Sequence, residues 1–169
     1  MSSSSATARS DNKLRILVVD DEPDILLTVN AILEGRGHYV KIFDNPAEAL
    51  NHLTSSASNN NGATPYYYDL VITDHRMPGS GMSGLDLAKR VKEHNTAKRK
   101  RKTKVFLMSG SFNVSSLPEE FTEAFKSEIV DEFIQKPISN DKLIAIIEKS
   151  ISNNNNKGSV DSSRDVREL

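Results

Sequence analysis

Five short apolar, β-branched runs alternate with five segments whose apolar residues recur at helical spacing. That alternation predicts an α/β fold, with a parallel sheet covered by helices on both faces. Two further observations support it. The run Leu70-Val71-Ile72-Thr73-Asp74 reads as a strand buried on both faces, as in parallel sheets, and a Pro/Gly turn follows at once. Charged residues also sit at the ends of other runs: Asp20-Asp21 closes Ile16-Leu17-Val18-Val19, and Lys136-Pro137 closes Phe133-Ile134-Gln135. In open parallel sheets such strand ends share a crevice at the carboxyl edge.

The elements follow in order. Leu14 to Val19 is the first strand, and Pro23 suits the first turn of the helix after it. Ile25, Leu26, Val29, Ile32 and Leu33 form that helix's apolar side, and Gly35 and Gly37 supply its stop. His38 to Phe43 is the second strand. Asn45-Pro46-Ala47-Glu48 has the pattern of a capped helix start, followed by Ala49, Leu50 and Leu53 on one side. The polar stretch Thr54 to Pro65 is a surface loop by composition, and Tyr66-Tyr67-Tyr68 reads as packing at the entrance to the central strand. Leu85, Ala88 and Val91 mark the third helix. It leads into Lys98-Arg99-Lys100-Arg101-Lys102 and Lys104, read as a solvated loop because no aromatic residues interleave as a nucleic-acid surface would require. Val105 to Met108 is the fourth strand, ending at Ser109-Gly110. Pro118-Glu119-Glu120 opens the fourth helix, with Phe121, Phe125 and Ile129 spaced four apart. Asp131 to Gln135 is the fifth strand. The last helix follows Asn140, with Leu143, Ile144, Ile147 and Ile151 on one side.

The bulk properties narrow the function. A chain of 169 residues suggests one domain with some excess, and 37% hydrophobic residues suffice for one core. A formal charge of −1 argues against a general polyanion binder, and the absence of cysteine excludes disulfides, thiolate metal sites and cysteine nucleophiles. No apolar run reaches the roughly 18–20 residues of a membrane span, and the Ser-rich start has no signal-peptide core. The expectation is a soluble cytoplasmic chain, with a domain at 13–152 between disordered tails at 1–12 and 153–169.

With strand order 2-1-3-4-5, strands one and three are neighbours where the order reverses, and Asp20, Asp21 and Asp74 converge. Clustered carboxylates repel each other unless a proton or a cation intervenes, and an all-oxygen site suits Mg²⁺. Lys136 is placed to balance the remaining charge.

These segments strongly resemble the receiver domain of two-component response regulators. Val18-Val19-Asp20-Asp21-Glu22-Pro23, Thr73-Asp74-His75-Arg76-Met77-Pro78, Met108-Ser109-Gly110 and Phe133-Ile134-Gln135-Lys136-Pro137 look like its signature segments, in its order. The resemblance implies a flavodoxin-like, doubly wound (βα)5 fold. It implies that Asp74 accepts a phosphoryl group from a phosphohistidine on a sensor histidine kinase or phosphotransfer protein. Mg²⁺ would be held by Asp21, Asp74 and the backbone carbonyl of Arg76, with Asp20 assisting through water. Lys136 and Ser109 would contact phosphoryl oxygens. Ser109 and Phe133 would be the switch pair that alters the face of helix four, strand five and helix five for a downstream protein. Phe133 lacks the hydroxyl of a tyrosine, and plain core packing is its alternative reading. Such a chain catalyses its own phosphorylation and dephosphorylation rather than turning over a substrate.

The pattern departs from the family in one place. Three residues separate Pro78 from Met82 where one is usual, so the loop beside the site is two residues longer. The insertion creates Gly79-x-Gly81-x-x-Gly84, which matches a dinucleotide fingerprint but lies after the wrong strand. An aspartate-nucleophile hydrolase is disfavoured because Asp20-Asp21-Glu22 lacks the Asp-x-Asp spacing. A receiver-like scaffold that acts by binding alone is the remaining alternative. The short polar stretch after Ser152 leads to the expectation of a stand-alone receiver without a DNA-binding domain.

Overall fold

The β-branched runs form five strands: β1 (Arg15–Val19), β2 (Tyr39–Phe43), β3 (Leu70–Asp74), β4 (Lys104–Ser109) and β5 (Glu132–Gln135). Five helices alternate with them: α1 (Pro23–Gly35), α2 (Pro46–Ser55), α3 (Gly84–Lys98), α4 (Glu119–Lys126) and α5 (Asn140–Asn156). These elements come from a computed structural model that describes residues 13–55, 67–98, 102–110 and 117–156. The chain divides into two compact units. One, Lys13–Ile138, holds the whole sheet and the first four helices; the other contains α5.

All strand pairs are parallel, in the order β2-β1-β3-β4-β5. This is the doubly wound arrangement expected from the sequence. Register places the strand ends together. Val19 pairs with Thr73, so Asp20 and Asp74 follow at the same level, and Asp74 itself pairs with Met108, one residue before Ser109. Ser109 in turn pairs with Gln135, immediately before Lys136. The order reverses between β1 and β3, which opens the crevice that such sheets use for ligands. Leu17, Val71, Leu107 and Ile134 are fully buried across the strands. Each contributes about 1.5–3 kcal/mol by leaving water, which anchors the register.

Local chemistry sets the helix starts. Asn45 Oδ1 accepts the Ala47 and Glu48 N–H groups at 2.8 and 3.3 Å and caps α2. Ser83 and Asp86 exchange bonds at the start of α3: Ser83 Oγ accepts the Asp86 N–H at 3.1 Å, and Asp86 Oδ2 accepts the Ser83 N–H at 3.1 Å. The Ser83 hydroxyl also donates to Asp86 Oδ2 at 2.7 Å, and this bond first, then the one from the Ser83 N–H, holds the Asp86 carboxyl below its ordinary value. In the second unit, Ser139 Oγ accepts the Lys142 N–H at 3.3 Å as α5 begins.

Several boundaries differ from the sequence reading. Helix α4 stops at Lys126, and Glu128 has a left-handed φ of 55°. Ile129, expected on the same apolar stripe, therefore lies beyond the helix, where its N–H bonds the Ala124 carbonyl at 2.9 Å. Phe121 is buried whereas Phe125 is 53% exposed. Four residues advance a helix by about 400°, so the second ring sits some 40° around from the first, toward solvent. Asp131 lies just before β5, because its Oδ2 accepts the Val105 N–H at 2.8 Å and pairs with Lys92 Nζ at 2.6 Å. Thr54 and Ser55 belong to α2, and Thr54 Oγ1 donates to the Leu50 carbonyl at 2.9 Å. Tyr68 is buried with its hydroxyl 2.8 Å from His52 Nε2, a packing role like the one read for the aromatic triplet. Helix α5 runs to Asn156, past the expected start of the tail at 153. The expected tail 1–12, the rest of the other tail from 157, most of the polar loop and the middle of the basic run lie outside the described residues.

Candidate functional site

Lys136 lies at the centre of the strand-end cluster. Its Nζ is 2.7 Å from Asp20 Oδ2, 2.8 Å from Asp74 Oδ1 and 3.1 Å from Glu22 Oε1. The sheet sets this placement: the Lys136 N–H donates to the Ser109 carbonyl at 2.9 Å and continues the β4–β5 ladder past its last strand residue. Asp20 is 0% exposed and Asp74 5%. The second oxygen of each aspartate accepts a backbone N–H two residues on, from Glu22 to Asp20 and from Arg76 to Asp74, both at 2.9 Å. These short turns fix both carboxylates toward the lysine.

One ammonium therefore serves three carboxylates. Burial disfavours the charged ammonium, but hydrogen bonds and charge from Asp20 and Asp74 outweigh it and hold Lys136 above its ordinary value. Burial pushes Asp20 up, and Lys136 and the Glu22 N–H only partly offset this. The two directions agree: every acid stabilises the one cation, while a shared cation cannot fully compensate each acid. Asp20 Oδ2 faces the Lys136 ammonium at 2.7 Å and has no second donor among the described residues.

A testable consequence concerns stability. Because the folded state holds a proton on Asp20 more tightly than the ordinary carboxyl, ionising it at neutral pH detracts from stability. Asp20→Asn is expected to raise the thermal midpoint at pH 7. The gain should shrink as the pH falls toward 3.8, where wild-type Asp20 becomes neutral as well. Thermal melts across that range check it.

The residues fit a hard cation by donor chemistry. Asp20 and Asp74 offer buried carboxylate oxygens, one of them facing only the shared ammonium, and the excess acid needs positive charge beyond Lys136. Among the described residues, no three His, Cys, Asp or Glu side chains form a ready metal cage. Asp21 is half-buried beside Asp20 and does not join a three-carboxylate cluster.

Ser109 is buried at the end of β4, one residue beyond the partner of Asp74. Phe133 is half-buried on β5, its ring 5.5 Å from Phe121 and 6.1 Å from Phe125. Arg76 is exposed beside Asp74. The lengthened loop is internally braced: Ser80 Oγ lies 2.6 Å from the Met77 carbonyl and 2.8 Å from that of Met82. Gly79 and Gly81 adopt φ of 83° and 70°, the left-handed region that glycine enters without strain.

Sequence reasoning gave no role to two contributors. Glu22 was visible as part of the acidic stretch, but its contact with Lys136 spans 114 positions. Gly84 approaches the backbone of Asp74 so closely that a Cβ there would lie 1.9 Å from the Asp74 oxygen. In the sequence it stands out only as the last glycine of the Gly79-x-Gly81-x-x-Gly84 pattern.

Comparison with known proteins agrees with this architecture. The family model for the response regulator receiver domain matches residues 16–148. The chain is 30% identical over 139 residues to the transcriptional regulatory protein FixJ of Bradyrhizobium diazoefficiens, covering 82% of this chain and 57% of FixJ. It is also 30% identical over 137 residues to the DNA-binding transcriptional regulator NtrC of Escherichia coli, covering 81% of this chain and 24% of NtrC. The chain thus spans between about a quarter and somewhat over half of these relatives. Among solved structures, a response regulator receiver domain protein from Clostridium thermocellum superposes with a TM-score of 0.64 at 25% identity, covering 85% of this chain and 98% of that one. NtrX from Brucella abortus gives 0.68 at 28% identity, over 88% of this chain and 29% of that one. Among the described residues no helix is long and apolar enough to cross a membrane. With a matching family model over most of its length and the receiver topology in its sheet, the chain belongs to the response regulator receiver domains of two-component systems.

Proposed function

We propose that this receiver domain is a phosphorylation switch in which Asp74 accepts a phosphoryl group from a phosphohistidine on a sensor histidine kinase or phosphotransfer protein. The observation that carries the reading is the position of Asp74: nearly buried at the end of the central strand, one oxygen on Lys136 and the other on the Arg76 N–H. An Asp74 oxygen attacks phosphorus, the phosphorus–nitrogen bond to the histidine breaks, and its electron pair stays on the imidazole. Most of the catalysis in such a transfer is positioning and charge neutralisation. Lys136 supplies one cation at Asp74. Asp21, Asp74 and the Arg76 carbonyl would hold Mg²⁺, with Asp20 assisting through water, and the bound ion would supply the remaining neutralisation of charge on the phosphoryl oxygens. Ser109, at the end of the adjoining strand, donates its hydroxyl to a phosphoryl oxygen. Moving Ser109 and Phe133 then alters the surface carried by α4 and β5 for a downstream protein, to the extent that the phosphorylated site favours one arrangement over the other.

Intact mass after incubation with acetyl phosphate and Mg²⁺ tests the reading. A single acid-labile phosphoryl adduct is expected, prevented by prior EDTA and absent from Asp74→Asn. An adduct that persists on Asp74→Asn would contradict the assignment. No adduct on the wild type would favour a receiver-like scaffold that works by binding alone.

A further inference from the structure

Next to Asp74 sits a side chain held in an unusual way. The His75 backbone is tied on both sides: its N–H donates to the Met108 carbonyl at 2.8 Å, and its carbonyl accepts the Gly84 N–H at 3.0 Å. Its ring has no such ties. Nδ1 is buried without a hydrogen-bond partner, and Nε2 stands 4.0 Å from Glu120 Oε1, beyond hydrogen-bond reach. The ring instead meets Phe121 of α4 edge-on, with centroids 4.7 Å apart and planes at 82°. Packing therefore sets the position of this imidazole.

From Phe121 the aromatic contacts continue. Its ring lies 5.5 Å from Phe133, and Phe133 lies 6.1 Å from Phe125, the exposed ring of α4. A contiguous row of rings thus runs from the residue beside Asp74 to the surface of α4. Densely packed side chains transmit displacement because there is little free volume to absorb it. A phosphoryl group on Asp74 enlarges the side chain next to His75 and draws on Lys136, so the close packing around both residues has to adjust.

We infer that His75 is a positioning residue that couples the state of Asp74 to α4 through its edge-on contact with Phe121. The inference rests on the phosphoacceptor reading of Asp74. It assigns the coupling to the ring contact and not to either nitrogen, since neither is hydrogen-bonded. A phenyl ring would make the same contact without leaving a buried nitrogen unpaired.

Amide hydrogen exchange of Glu119–Lys126 is compared with and without acetyl phosphate and Mg²⁺, and intact mass gives the phosphoryl occupancy of the same samples. Wild type, His75→Ala, His75→Phe, Phe121→Leu and the double variant His75→Ala/Phe121→Leu are measured. All are expected to take up label equally. The phosphorylation-dependent change in α4 exchange should fall about threefold in each single lesion, no further in the double variant, and stay at the wild-type size in His75→Phe. Phe121→Leu probes the same contact from the other side if His75→Ala does not fold. A wild-type response in His75→Ala or Phe121→Leu at equal label would overturn the inference, as would loss of label in His75→Ala or no α4 response in the wild type. Failure of the wild type to take up label would instead remove the phosphoacceptor reading, and the coupling with it.

Discussion

Gly84→Ala is expected to be among the most damaging single changes to this domain. The added Cβ would lie 1.9 Å from the Asp74 carbonyl oxygen, 2.8 Å from its carbon and 3.0 Å from Thr73 Oγ1. Two of these are backbone atoms of the central strand, held between β1 and β4, so they cannot swing aside as the end of a flexible side chain would. Retreat by α3 would instead break the Gly84 N–H bond to the His75 carbonyl at 3.0 Å. The expected loss is about 3 kcal/mol or more, the upper end of overpacking costs. Denaturant melts measure it, and acetyl phosphate labelling of the folded fraction should fall as Asp74 is displaced. Gly81→Ala is the natural comparison. No atom lies within 4 Å of its Cβ position, so only the left-handed φ of 70° is penalised, at about 1–2 kcal/mol. Equal midpoints for Gly84→Ala and wild type would mean the close approach is not a feature of the folded protein.

Lys136→Ala is the second large effect. It removes the ammonium shared by Asp20, Asp74 and Glu22 and leaves two buried carboxylates side by side. Breaking a buried pair from one side costs about 3–5 kcal/mol, because the remaining charge is uncompensated. The loss should be seen throughout the neutral range. Lysine's stabilising charge is fully present below its ordinary value of 10.5 and fades only as the pH rises from there toward the raised folded value. Mg²⁺ should raise the thermal midpoint more in Lys136→Ala than in the wild type, since the acids then lack any other cation. Lys136→Ala is also expected to separate labelling from response: phosphoryl uptake persists at a reduced rate, while the change in α4 exchange is lost. An undiminished midpoint without Mg²⁺ would contradict the view of Lys136 as the central counter-ion.

Much of this architecture is legible in the sequence, for a definable reason. Runs such as Leu70–Thr73, buried on both faces, have few competing conformations, and their ends placed Asp20, Asp74, Ser109 and Lys136 in one register. Order along a sheet converts sequence position into spatial position. Side-chain contacts across loops carry no such signal. Glu22 reaches Lys136 and His75 meets Phe121 only because separate turns bring them there. The Gly79-x-Gly81-x-x-Gly84 pattern shows the same limit. Its letters suggest phosphate binding, but the first two glycines serve left-handed turns and the third a close backbone approach. The end of α4 is not legible in this way, because four-residue spacing continues through Ile129 whereas Glu128 breaks the helix with a left-handed backbone.

The most direct test is to locate the phosphoryl group. Borohydride reduces an aspartyl phosphate to homoserine, and peptide mapping of protein labelled by acetyl phosphate then reads the converted position. The account predicts conversion at Asp74 alone, dependent on Mg²⁺. Conversion at Asp20 or Asp21, or labelled protein without conversion at Asp74, would contradict it.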